Sequence, residues 1–174
     1  MTNAVLESLK TRRSCRKYED RQISREELDA VLEAGIWAPT AMCTQEPLIV
    51  VVQDKEKLAA IERLNGAVMG NPDGHPFYGA PTVLIVFADG SKEGVYREDG
   101  SLVMGNLLNA AHAVGLGSCW IHRAKEAFES PEGKAMKAEW GIPESYVGIG
   151  NCILGYAVEE APARPRKEGY VVFD

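Results

Sequence analysis

This 174-residue chain lacks the local signatures on which several kinds of chemistry depend. No phosphate-binding loop ending in Gly-Lys-Ser or Gly-Lys-Thr is present. The four cysteines, Cys15, Cys43, Cys119 and Cys152, are scattered and form no Cys-x-x-Cys pair, so free cytoplasmic thiols are expected. Cys119 and His122 flank Trp-Ile, but no second half of a metal site follows, and strand positions i and i+3 face opposite ways. No metal is expected. There are only 3 histidines, and none forms a nucleophile–base pair. His75 falls in a loop-like stretch, His112 on an apolar helix where it reads as a hydrogen-bonded core residue, and His122 at a strand end. With no acid–base machinery in view, any chemistry is expected to be carried by a cofactor.

Membrane signals are missing as well. Residues 1–7 have neither the basic start nor the apolar run of a signal peptide. Residues 100–121 carry no formal charge, but Asn106, Asn109, His112 and three glycines interrupt them. The helical part is expected to stop near Gly115, too short to cross a bilayer. A cytoplasmic protein without membrane contact is expected.

Positive charge is scarce: 19 Lys and Arg stand against 25 Asp and Glu. What there is gathers in two places. Five basic side chains and no acidic one lie between Lys10 and Lys17, and Arg164, Arg166 and Lys167 form a second group. With those eight set aside, 11 basic residues face 25 acidic ones. Such local reversal points to a small anion, since nucleic acid needs an extended basic face. Arginine forks also match the paired oxygens of a phosphate. Taken alone, an arginine-rich turn after a first helix is also what a solvated charged turn looks like.

The pattern of elements is that of one α+β domain, with 45% hydrophobic residues and enough chain for a substantial core. A short helix is predicted over residues 4–10. Ser24 and Glu27 form a capping box ahead of a helix with the stripe Leu28, Val31, Leu32 and Ile36, ended by Pro39. Residues 48–52 read as a buried strand, and Asp54 caps a helix to about Leu64. Residues 65–79 read as a long loop, of the kind that often forms a lid or binding segment. Further strands are predicted over 81–87, 118–121 and 146–155, with helices over 100–114 and from Pro131 to about Trp140. Continuous apolar strands alternating with helices imply a sheet covered on both faces. The helix over 100–114 has more apolar perimeter than one sheet face can cover, which points to a symmetric dimer.

Glycine pairs give no nucleotide fingerprint. Gly148-Ile-Gly150 lies inside a strand-like run with no helix after it, and Gly115-Leu-Gly117 follows a helix, the reverse of the required order.

Four segments together carry a resemblance. Arg12-Arg13-Ser14-x-Arg16-x-Tyr18 is similar to the Arg-Arg-Ser-x-Arg-x-aromatic segment of the FMN-dependent nitroreductase family. Ala38-Pro39-Thr40-Ala41-Met42-x-x-Gln45 resembles that family's Ala-Pro-Ser-(Ala/Gly)-x-Asn-x-Gln turn. Gly115 to Ile121 is similar to its Gly-Leu-Gly segment, and Pro165-Arg166-Lys167 to its basic tail. They occur in the family's order and span almost the whole chain.

The resemblance implies an α+β three-layer sandwich, with a central mixed, mainly antiparallel sheet flanked by helices, and a homodimer with FMN at each end of the interface. By matching position, Arg12, Arg13, Ser14 and Arg16 hold the phosphate, ribityl chain and pyrimidine edge. Arg166 and Lys167 close on the phosphate. Pro39, Thr40, Ala41, Met42 and Gln45 belong to the turn that comes from the other subunit against the ring, and the backbone of Ile121, His122 and Arg123 lies near the ring edge and its N5. The activity implied is hydride transfer from NAD(P)H through FMN to a small electron acceptor by a ping-pong route, with nitroaromatics, quinones or flavins as acceptors in vitro. A reductive dehalogenase, a flavin-cleaving enzyme or a non-catalytic flavin sensor on the same fold are the competing readings. Cys43 stands for the family's usual Asn, Glu46-Pro47 for Pro and Trp, and His122-Arg123 for a Glu-Gly pair, so the substrate pocket is expected to differ.

Overall fold

The structure is a computed structural model that describes residues 1–174 apart from Glu93 and Glu160. Among the described residues four strands, β1 (Leu48–Val52), β2 (Thr82–Asp89), β3 (Gly117–Ile121) and β4 (Tyr146–Gly155), form one sheet in the order β1-β2-β4-β3. All three pairings are antiparallel; the parallel component is an isolated bridge between Ser14 and Ser118.

The helices are α1 (Ala4–Thr11), α2 (Arg25–Ile36), α3 (Lys55–Val68), α4 (Tyr96–Ala113), α5 (Ala124–Glu129) and α6 (Pro131–Glu139). They make the outer layers. Residues of α3 and α5 join Val83, Ile85, Phe87 and Ile153 in one core, with Met136 and Trp140 packed against it. There the rings of Phe87 and Phe128 meet edge to face at 4.9 Å. Residues of α2 and α4 pack with Leu84, Val86, Cys152 and Leu154 on the opposite face. Side chains of β2 from Val83 to Ala88 are wholly buried. At roughly 1.5–3 kcal/mol for each large one, this strand anchors both cores.

Local signals explain most boundaries. Ser24 accepts from Glu27 N, and Glu27 Oε2 accepts from Ser24 N at 2.8 Å, so the α2 capping box is complete. Asp54 Oδ1 accepts from Lys57 N at the start of α3, and Ser130 Oγ from Gly133 N at the start of α6. Gly115, at φ +84°, turns the chain out of α4 into β3.

Four expectations need correction. α3 runs on to Val68, because Asn65 is fully buried and its amide is used by the next layer, so the irregular stretch is shorter than 65–79. α4 begins at Tyr96, ahead of the uncharged run. α5 has no sequence counterpart: it is six residues long, without a side-chain cap. β1 is an edge strand with Leu48 and Val51 exposed, since an apolar run does not say whether a strand is central. Gly148-Ile149-Gly150 forms an irregularity in β4: Val86 pairs with Gly150 and Phe87 with Gly148, leaving Ile149 unpaired. A Cβ at Gly150 would sit 2.6 Å from the Trp120 indole nitrogen, so this glycine is there for close packing. Among the described residues no helix is long and apolar enough to cross a membrane.

Candidate functional site

The segment between α1 and α2 is stitched between two strands. Cys15 N donates to Ser118 O at 2.9 Å at the start of β3, and Tyr18 bridges Ala157 just beyond β4. Val158 N also donates to Lys17 O at 3.1 Å. The chain leaving β4 therefore passes directly beside the basic turn. This is why two cationic groups about 150 residues apart in sequence converge.

They line one cleft of about 440 Å³, walled by Arg12, Arg13, Ser14 and Arg16 on one side and Arg164 and Arg166 on the other. Lys167 is exposed and not part of its wall. Arg164, a member of the same basic tail for which the resemblance implies no site role, does line it. Arg13 is partly committed elsewhere, since its Nη1 donates to the carbonyls of Lys10 and Arg12 at the end of α1. Arg12 is different. Its Nη1 is buried without a hydrogen-bond partner among the described residues. An unpaired buried donor of this kind costs about 1–3 kcal/mol, more for a charged group, unless an acceptor arrives. Arg12 also comes close enough to β4 to oppose the rise of the Cys152 thiol pKa, which burial and the neighbouring Cys119 drive upward. The cleft thus offers a dense set of guanidinium groups suited to a phosphate.

The turn after α2 is built for display. Pro39 is exposed; Thr40 O accepts from Cys43 N, Thr40 Oγ1 from Gln45 N, and Asp99 Oδ1 on α4 from Ala41 N at 2.9 Å. Met42, Cys43 and Gln45 hold φ of +52°, +57° and +51°. Left-handed conformations cost about 1–2 kcal/mol each in a non-glycine residue, so the bonds to Thr40 and Asp99 are needed to keep them. Met42 at the tip is 96% exposed. Thr40 and Gln45 line a separate cavity with Ile36 and Val103, so one chain does not bring this turn to the arginine cleft.

The third group is the corner after β3. Ile121 is buried and its carbonyl accepts from Asn151 Nδ2. The His122 carbonyl accepts from Asn65 Nδ2 at 2.7 Å, and Asn65 Oδ1 accepts from Arg123 Nε at 3.1 Å. His122 itself is exposed, and Arg123 sits at φ +74°. Asn65 clamps both neighbours, and this role was invisible in sequence because its partners lie 57 and 58 positions away. His112 accepts or donates a 2.9 Å bond with Thr11 Oγ1, joining α1 to α4.

The sequence model described as Nitroreductase family matches residues 9–156. The chain belongs to the nitroreductase family. That match begins ahead of the basic turn and takes in the displayed turn, the β3 corner and all four strands. Among curated relatives of this nitroreductase-family chain, a protein of Methanothermobacter thermautotrophicus, provisionally named NADH dehydrogenase/NAD(P)H nitroreductase, is 33% identical over 92% of this chain and 81% of its own length. The FMN reductase [NAD(P)H] of Bacillus subtilis is 25% identical, over 94% of this chain and 70% of its own. A crystal structure of a Bacteroides fragilis nitroreductase with bound FMN superimposes with a TM-score of 0.89 at 30% identity, covering 99% of this chain and 100% of that one. An FMN-bound nitroreductase from Desulfitobacterium hafniense gives 0.88 at 26% identity, covering 100% of both chains.

Proposed function

We propose that this nitroreductase-family chain is an FMN-dependent NAD(P)H oxidoreductase, a single domain working in the cytoplasm as a homodimer. The observation that carries the reading is the cleft of five arginines, one of which, Arg12, has a buried Nη1 without a partner among the described residues. A dianionic phosphate in a partly dry cleft needs such compensation, and the rest of the chain is acidic.

Arg12, Arg13, Ser14 and Arg16 hold the phosphate, ribityl chain and pyrimidine edge, and Arg164 and Arg166 close over the phosphate, with Lys167 beyond them. FMN held there would supply the hydride chemistry that links NAD(P)H to a second substrate. The chain's own residues orient the ring, tune its electrostatics and exclude water. Ser14 meets β3 at Ser118, and the strand then leads to Ile121, His122 and Arg123. At ~3.3 Å per residue this spans on the order of 13 Å, so a single strand joins the basic turn to that corner. The turn carrying Pro39, Thr40, Ala41, Met42 and Gln45 serves the ring bound by a second copy, which is why it stands apart from the cleft in one chain.

Donor and acceptor use the same space in succession, so the kinetics are ping-pong. The acceptor is a small molecule such as a nitroaromatic, a quinone or a free flavin. The test is the visible spectrum of purified protein, release of its flavin for mass measurement, and initial rates with NADH and NADPH. FMN release and parallel double-reciprocal lines are expected. Protein that takes up no FMN and oxidises neither nucleotide would defeat the reading, while intersecting lines would defeat only the ping-pong order.

A further inference from the structure

A second cavity, of about 470 Å³, adjoins the arginine cleft, and the two share Arg13, Ser14, Ala161 and Pro162 as a common wall. Their chemistry is opposite. The cleft is walled by guanidinium groups, whereas among the described residues Arg13 is the only arginine or lysine of the second cavity, which otherwise presents Leu116, Ala157, Ala163 and glycine backbone beside a few polar groups. Beyond the shared Ser14, those polar groups include Thr11, Cys15, His112 and Glu159. Both volumes fall in the range of small-ligand sites, about 300–1,000 Å³.

A molecule that fills both cavities must therefore be anionic where it crosses Arg13 and Ser14, and flat or apolar with hydrogen-bonding edges beyond them. An adenine ring meets the second requirement. Its faces suit Leu116 and Ala157, its exocyclic amine suits the Glu159 carboxylate, and its ring nitrogens suit a donor on the His112 ring. The first requirement is met by a pyrophosphate. Five guanidinium groups also outnumber the charge of about −1.5 to −2 that a single phosphate monoester carries.

We propose that this cavity is an adenylyl subsite, which lets the protein accept a flavin dinucleotide, FAD, with its pyrophosphate on Arg13 and Ser14. The proposal rests on the flavin reading above. It concerns how the cofactor extends beyond its phosphate. The same adenylyl chemistry is present in NAD(P)H, and the test separates the two sources.

Ala163 lines the second cavity and not the cleft, and it is exposed on the tail, so Ala163→Trp fills the subsite without disturbing a core. Flavin-free wild-type protein and the variant are titrated with FMN and with FAD by quenching of flavin fluorescence. In the wild type FAD is expected to bind within tenfold of FMN. In Ala163→Trp FAD weakens at least tenfold, and FMN changes less than twofold. FAD binding more than tenfold weaker than FMN in the wild type overturns the proposal, as does equal weakening of both flavins or of neither in the variant. In FMN-loaded protein the KM for NADH is expected to be unchanged by Ala163→Trp. A raised KM with FAD binding unaffected assigns the cavity to the nucleotide donor and also overturns it. Failure of the wild type to bind FMN is a separate outcome that removes the flavin reading itself.

Discussion

Arg12 and Arg13 are adjacent and chemically identical, yet the fold uses them differently. Arg13 spends part of its fork on the carbonyls that end α1, whereas Arg12 leaves a buried nitrogen without an acceptor. The difference yields a test that a merely structural arginine fails. On the proposed reading, replacing Arg12 with alanine would remove a charge-assisted bond to phosphate worth about 1.5–3 kcal/mol, so FMN affinity is expected to fall roughly 10- to 100-fold. The flavin-free protein loses only an unsatisfied donor, so its melting temperature is expected to hold or rise slightly. Calorimetry of the flavin-free variant together with FMN titration checks both halves. A variant that melts much earlier and binds FMN normally would assign Arg12 to the fold instead.

Two elements depend on single polar side chains for their placement. In α2, Glu27 closes the capping box and also accepts from Tyr156 Oη at 2.6 Å, tying the helix to the end of β4. The Tyr156 and Ser24 hydrogen bonds hold its carboxyl below the ordinary 4.5. A depressed folded value stabilises the protein above the unfolded pKa and loses that contribution as pH falls through the folded one. The stability advantage of wild type over Glu27→Gln is therefore expected to be flat at neutral pH and to shrink below about 4.5. Urea midpoints at a series of pH values measure it, and an advantage that stays constant into strong acid would refute it. In α3, Asn65 carries the His122 carbonyl and the Arg123 guanidinium. Asn65→Ala orphans that carbonyl and is expected to cost about 1–3 kcal/mol, read as an earlier thermal midpoint. A loss under half a kcal/mol, about the size of a neutral surface change, would mean the corner holds itself. These cases also explain what sequence could and could not reveal. Capping boxes, helix-stop glycines and the apolar runs of β2 and β4 are local signals, and the two arginine groups stood out against an acidic chain. The Asn65 clamp, the Asp99 hold on Ala41 and the entry to α5 through a left-handed Arg123 all rest on contacts between segments. No window of sequence contains both partners of such contacts, so the end of α3 and all of α5 were missed together.

At the scale of the molecule, several large apolar side chains remain uncovered. Ile36 and Trp37 end α2 at 69% and 78% exposure, and Met42 stands at the tip of a strained turn tied to α4 by Asp99. Leu102 of α4 is also exposed, as are Tyr170, Val171, Val172 and Phe173 at the C-terminus. Scattered exposed leucines are ordinary, but a tryptophan and a methionine held out beside a turn that one chain cannot bring to its own cleft are an interface pattern. On the proposed reading a second copy covers this surface and delivers the turn to the flavin, which would make dimerisation and cofactor retention one event. Trp37→Glu tests the link. A buried interface tryptophan is worth about 2 kcal/mol or more, and two-fold symmetry counts each substitution twice. The dimer is then expected to dissociate on the order of 1,000-fold more readily. Sedimentation should show the wild type as a dimer and the variant as a monomer at micromolar concentration, with FMN lost in the same fractions. A variant that is monomeric yet still yellow would show that one chain completes the site, and the turn would then need another role.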